Sequence, residues 1–176
     1  MKNSFVKITL LAAVLFGFAF GNSQNANAQN ALQGVKINGV TWATTNLGAT
    51  TPEGNGNYYA WEDAITACPN GWRIPTLNEL KTLLDAEKVD YQWTTENGVN
   101  GYRFMENGNG IFMSAAGYRD FDADTLHDAG KIGNYWSNTK YENYGLNAYR
   151  LYFYVEDEGA FYTSKAYGLS VRCVAE

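Results

Sequence analysis

Cys68-Pro69-Asn70-Gly71-Trp72-Arg73-Ile74-Pro75-Thr76-Leu77-Asn78-Glu79 is the stretch on which the fold turns. It closes on a helix start. Thr76 and Glu79 have the spacing of a capping box, in which a hydroxyl and a carboxylate each satisfy an orphan backbone amide. Leu77, Leu80, Leu83 and Leu84 follow at helical intervals, so one face of this helix is expected to pack on a sheet. The stretch opens on a helix stop. Trp61, Ala64, Ile65 and Cys68 space an earlier helix over 61–67, with Glu62 and Asp63 where the positive end of a helix dipole favours acids. Pro69 lacks the amide that would continue it, and Asn70-Gly71 turns the chain.

Outward from that core the pattern changes to strands. Val35-Lys36-Ile37 and Val40-Thr41-Trp42 flank Asn38-Gly39, a hairpin signal because both turn positions tolerate φ > 0. Residues 49–57 read as a Gly/Thr/Asn loop, and 102–105 with 111–113 as two strands joined by a Gly/Asn turn. Ala148 to Glu156 alternates, with Tyr149, Leu151, Phe153 and Val155 on one face and Arg150, Tyr152, Tyr154 and Glu156 on the other. Asp157-Glu158-Gly159 turns this run into 160–166, and Leu169 to Val174 closes the domain. The expected class is α+β: two helices in the amino-terminal half packed on a twisted antiparallel sheet.

The leader sets the compartment. Lys2 and Lys7 precede an apolar run from Ile8 to Phe20, and Ala26-Asn27-Ala28 fits a cleavage site before Gln29. A Sec signal peptide over 1–28 and a domain over 29–176 are therefore expected, with no membrane insertion after cleavage. No Cys precedes Cys68, so a lipidated cysteine is not expected. The destination is the periplasm or the cell surface. There Cys68 and Cys173 are expected to form a disulfide, which over a loop of roughly a hundred residues is worth about 4–5 kcal/mol in the chain-entropy model.

Composition excludes several functions. Across 176 residues, 13 Lys+Arg face 18 Asp+Glu, and removing Lys2 and Lys7 moves the charge from −5 to −7. Such a surface is poor for phosphate backbones, so no nucleic-acid partner is expected. One His and two Cys leave no ligand set for a zinc finger or an iron–sulfur cluster.

Cys68-Pro69-Asn70-Gly71-Trp72-Arg73-Ile74-Pro75-Thr76 resembles the core motif of the Fibrobacter succinogenes major paralogous domain family. The resemblance continues, in the family's order, through Ala115-Ala116-Gly117-Tyr118-Arg119, Tyr135-Trp136-Ser137-Asn138-Thr139 and Leu169-Ser170-Val171-Arg172-Cys173-Val174. It departs at Leu80, where an aromatic is common, and at Met113-Ser114, where Leu-Pro is. The resemblance implies a C-type-lectin-like fold, related to the formylglycine-generating-enzyme fold and to the variable proteins of diversity-generating retroelements. It also implies an exported or surface-anchored protein engaged in ligand binding or adhesion.

Candidate chemistry is sparse. Asp120, Asp122 and Asp124 alternate as in calcium loops, but Thr125 and Lys131 stand where an EF-hand needs Gly and Glu, so calcium is a minor expectation and no cofactor is assigned. His127 has Asp124 and Asp128 nearby but no nucleophile, and reads as a turn residue. Related enzymes use a pair of active-site cysteines, which the expected bridge consumes here. The expectation is no enzyme. Asp124-Thr125-Leu126 also resembles a bacterial O-glycosylation acceptor, on the strength of one tripeptide.

The richest binding composition lies between Asn134 and Tyr154. Trp136, Tyr149, Leu151 and Phe153 read as core. The expected ligand-binding set is Asn138, Lys140, Tyr141, Glu142, Asn143, Tyr144, Asn147, Arg150, Tyr152 and Tyr154, because Tyr and Asn together supply rigid contact area and adaptable hydrogen bonds. The expected function is a binding or adhesion module for a glycan or a surface protein. The alternatives are a structural accessory protein of the cell envelope and a retroelement-diversified receptor, with an enzyme least favoured.

Overall fold

The computed structural model describes residues 32–122 and 125–176, so the expected leader and Asp124 lie outside the described residues. The chain begins with β1 (Gly34–Ile37) and β2 (Val40–Ala43), then α1 (Trp61–Ala64), β3 (Trp72–Arg73) and α2 (Leu77–Thr82). A meander follows: β4 (Asp90–Glu96), β5 (Val99–Glu106) and β6 (Asn109–Ser114). Two short strands, β7 (Tyr118–Arg119) and β8 (Leu126–His127), precede the long β9 (Gly133–Lys140), β10 (Asn147–Tyr154) and β11 (Asp157–Ser164), and β12 (Val174–Ala175) ends the chain.

The strands pair antiparallel in small sheets ordered β1-β2-β12-β3, β4-β5-β6, β11-β10-β9 and β7-β8. Three hairpins share one turn chemistry. Asn38-Gly39, Asn97-Gly98 and Asn107-Gly108 all carry two successive positive φ angles (43° and 82° at the first pair), which is what two-residue hairpins with matching twist require.

The α+β expectation, two helices packed on one twisted sheet in the C-type-lectin-like manner, is corrected: the described residues are mostly β, with several small sheets and two short helices. The capping box forms as read, with Thr76 Oγ1 accepting from the Glu79 amide and the Glu79 carboxylate accepting from the Thr76 amide. What fails is length. α1 has 4 residues and α2 has 6. Ile65 and Thr66 are weak helix formers, so α1 relaxes into turns before reaching Pro69. α2 is stopped by the first hairpin, whose Asn38 side-chain amide donates to the Thr82 carbonyl at 3.0 Å. Neither helix has the length to form a layer.

Two apolar clusters make the core. The first joins Ile37, Trp42, Leu80, Leu83, Phe104, Tyr135, Leu151 and Phe153. The second joins Trp61, Ile74, Trp136, Ala148, Leu169, Val171 and Cys173. The disulfide between Cys68 and Cys173 forms as expected, closing a separation of 105 residues.

Sequence reading missed the polar centre of this core. Arg172 is fully buried. Its Nε and Nη2 donate to Asn46 Oδ1 at 2.9 and 2.7 Å, Nη1 donates to the Ala43 carbonyl at 2.9 Å, and Nη2 also donates to the Phe112 carbonyl at 2.7 Å. Burial lowers this guanidinium to about 10. Asn46 in turn donates to the Gly54 carbonyl and the Tyr135 hydroxyl, so one side chain ties the last segment to β2, β6 and β9.

Candidate functional site

Strands β9, β10 and β11 place the site because both of their faces are used. Opposed residues share a face and successive residues alternate. Leu151 stands opposite Tyr135 and Ala160, and Phe153 opposite Gly133, so this face enters the first core cluster. Arg150 stands opposite Trp136 and Phe161, and Tyr152 opposite Asn134 and Gly159. That second face belongs to the other cluster and is only partly covered.

The cover comes from distant segments. Tyr118 of β7 meets Tyr167 edge-on at 5.4 Å and stacks on His127 at 5.1 Å. Between these rings and the sheet lies a cavity of about 190 Å³. Asn134, Arg150, Tyr152 and Thr163 form its sheet wall, and Tyr118, Tyr167, Ile132 and Leu169 close the remainder. Asn134 and Leu169 are buried, whereas the other lining residues keep partial exposure.

Two polar groups in this wall lack partners. Asn134 is fully buried; its Nδ2 donates to the Gly117 carbonyl at 3.2 Å, yet its Oδ1 accepts nothing. Arg150 Nε is also buried without an acceptor. No carboxylate pairs with Arg150 among the described residues; the guanidinium lies over the Tyr152 ring, 4.7 Å from its centroid. Burial pushes the Arg150 guanidinium down from its ordinary value, against a smaller upward pull from Tyr152, Tyr118 and Tyr167. Burial, then Asp128, pushes the Tyr118 hydroxyl up. A buried polar group normally finds a partner, so two unmatched groups of opposite hydrogen-bonding sense in one cavity mark a place that can bind.

The family model for the Fibrobacter succinogenes major domain matches residues 22–175. The chain belongs to that family. No curated protein and no solved structure matches it. In this Fibrobacter succinogenes major domain the resembling motifs build the frame. Cys68 and Cys173 form the bridge, the Pro75 carbonyl accepts from the Asn138 amide at 2.8 Å, and Trp61 Nε1 donates to the Ser137 carbonyl at 2.8 Å. Of the motif residues only Tyr118 and Leu169 reach the cavity.

The ten expected binding residues do not form one surface. Arg150 and Tyr152 line the cavity, and Tyr154 follows on the same face, its ring 5.9 Å from Tyr152. Lys140 shares that face through its pairing with Ala148, but its ammonium lies 5.6 Å from the Trp61 ring. Tyr141 and Tyr144 belong to a separate tyrosine cluster. Tyr141 stacks on Tyr162 at 3.9 Å and on Tyr144 at 6.0 Å, and meets Tyr149 edge-on at 5.5 Å. Tyr149 and Tyr162 oppose each other on the Leu151 face, so this cluster sits on the other side of the sheet from Arg150. Asn143 donates to the Tyr141 hydroxyl at 3.4 Å, Asn147 closes the turn with its amide on the Tyr144 carbonyl, and Glu142 and Asn138 are exposed.

Asn134, Thr163, Tyr118 and Tyr167 were not in the expected set. Only tertiary folding brings them to Arg150. Of the aspartates read as a calcium loop, Asp120 lies 3.6 Å from His127 Nε2 and accepts from the Phe121 amide, and Asp124 lies outside the described residues. His127 is a strand residue stacked on Tyr118 rather than a free turn residue.

Proposed function

We propose that this protein is an exported, non-catalytic binding module that takes a glycan unit at the cavity on its tyrosine-rich carboxy-terminal strands. The observation that carries the reading is the cavity itself: aromatic walls around unmatched donor and acceptor groups, the combination small-ligand sites use for orientation. Aromatic faces take the apolar face of a sugar ring, and Arg150, Asn134 and Thr163 take its polar edge. Export is supported by the leader pattern and by the disulfide, which persists in oxidising compartments. With both cysteines bridged, no thiol is left for nucleophilic chemistry.

A glycan array probed with the oxidised protein, in calcium and again in chelator, tests this. Specific spots that vanish for Arg150→Leu support it, and spots that survive chelator remove calcium from the account. A blank array sinks the glycan reading and turns attention to a surface protein as partner.

A second reading, an accessory protein docking into an envelope assembly, is favoured by the opposite side of the sheet. Tyr144 and Tyr162 are 63% and 47% exposed there, and Leu146, in the turn that leads into β10, is 81% exposed, large side chains that a partner would cover. Retention of an envelope complex that Tyr144→Ser with Leu146→Ser abolishes, while glycan binding persists, would support it.

A further inference from the structure

The Arg150 cavity also specifies the charge of what it holds. This deepens, and rests on, the binding reading above. Arg150 brings a permanent positive charge whose Nε is sealed from water and has no hydrogen-bond acceptor. A cation part-withdrawn from water without a counter-ion is costly, and its natural complement is a carboxylate gripped by the planar guanidinium. Among the described residues, two acids of the covering segment face other groups: Asp120 lies 3.6 Å from His127 Nε2 and Asp128 lies 3.7 Å from Lys131 Nζ. Asn134 Oδ1 asks for something different, a donor. A hydroxyl supplies it at no electrostatic cost. An ammonium would also donate, but no carboxylate lines the cavity to balance its charge. That argues against a free amino acid.

Size and shape agree. An apolar cavity of about 150 Å³ accepts one benzene ring, and the volume here is about 190 Å³. Tyr118, Tyr152 and Tyr167 line it with aromatic carbon against which a saturated ring can pack.

We infer that the cavity is a subsite for one acidic sugar unit, a uronic-acid ring whose carboxylate pairs with Arg150 and one of whose hydroxyls donates to Asn134 Oδ1. Neutral sugars leave the guanidinium unmatched and bind more weakly.

Titration calorimetry of the oxidised protein with glucuronate and galacturonate, against glucose and galactose, is the test. The expected result is binding of at least one uronate about tenfold or more tighter than its neutral counterpart, the discrimination typical of one charge-assisted hydrogen-bonded pair. Arg150→Leu should erase that preference, and Asn134→Leu should weaken uronates and neutral sugars alike. Because a variant in this sheet can misfold, the wild-type protein carries a second readout: the Arg150 Nε–H resonance should shift on adding uronate and stay put on adding glucose. Equal affinity for neutral and acidic sugars overturns the acidic assignment and leaves the glycan reading standing. Binding of a short peptide through its free carboxyl terminus, with no uronate bound, overturns the sugar assignment in favour of a peptide. No binding of any of these overturns both readings.

Discussion

The molecule draws two guanidinium groups out of water, Arg172 wholly and Arg150 in part, and treats them oppositely. Arg172 sits at the junction of the terminal segment with β2 and β6, with Nε, Nη1 and Nη2 all donating, to Asn46 and two backbone carbonyls. Arg150 sits on a three-stranded sheet, with Nε sealed and without an acceptor. Both lose charge stabilisation to burial. The difference is where the donors go. A fixed set of oxygens around Arg172 makes it part of the fold, whereas beside Arg150 the protein supplies no oxygen to Nε, which is what the proposed ligand would bring. A buried charge is evidence of structure or of function according to whether its hydrogen bonds close within the protein.

Breaking the satisfied arginine should have the largest effect. Arg172→Leu leaves Asn46 Oδ1 and the Ala43 and Phe112 carbonyls without their donor, and should cost about 3–5 kcal/mol in denaturant unfolding. Arg172→Lys should recover little, because an ammonium cannot reproduce the planar fork. Reducing the Cys68–Cys173 bridge comes next, with a loss of about 2–5 kcal/mol read from the urea midpoint of oxidised against reduced protein. It should also loosen the Arg172 segment, since the neighbouring Cys173 is one of the two bridged residues.

A third perturbation concerns an arginine on the surface. Arg73 donates to both Glu79 oxygens, at 2.8 and 2.6 Å, and this ion pair, assisted by the Thr76 amide and hydroxyl, holds the Glu79 carboxyl at about 2 against an ordinary 4.5. Its stabilisation is therefore present in full above pH about 4.5 and fades as the pH falls toward 2. Glu79→Gln should cost about 1–2 kcal/mol at neutral pH and flatten the acid limb of the stability curve.

The smallest effect on stability is expected at the proposed binding site. Arg150→Leu removes a part-buried charge that has no counter-ion in the protein, so the melting temperature should stay put or rise, with a change within about 1 kcal/mol. A large loss of stability in that variant would place Arg150 beside Arg172 as a structural group and dissolve the contrast.

Local chemistry was legible in the chain. The Asn-Gly pairs dictate two-residue turns, and those at 38–39 and 107–108 lie in turns the sequence reading expected, whereas Asn97-Gly98 carried the same signal unread. The capping box at Thr76 and the pairing of the only two cysteines follow from residue type and spacing. Helix length was not legible, since the side chain that stops α2 comes from Asn38, far away in sequence. Nor was the strand rule that inward residues are apolar and outward ones bind. β10 contributes to a core cluster on each face, so Tyr149 and Arg150, neighbours in the chain, point to different environments.

The sequence alone determined the turns, the cap, the staple and the tyrosine-rich composition of the last strands, because these depend on a few adjacent residues or on a count. Tertiary structure alone decided which tyrosines meet which arginine. Asn134, Arg150, Thr163, Tyr118 and Tyr167 converge only when three strands pair and a distant cover folds over them, and whether a buried donor finds an oxygen is settled by that convergence.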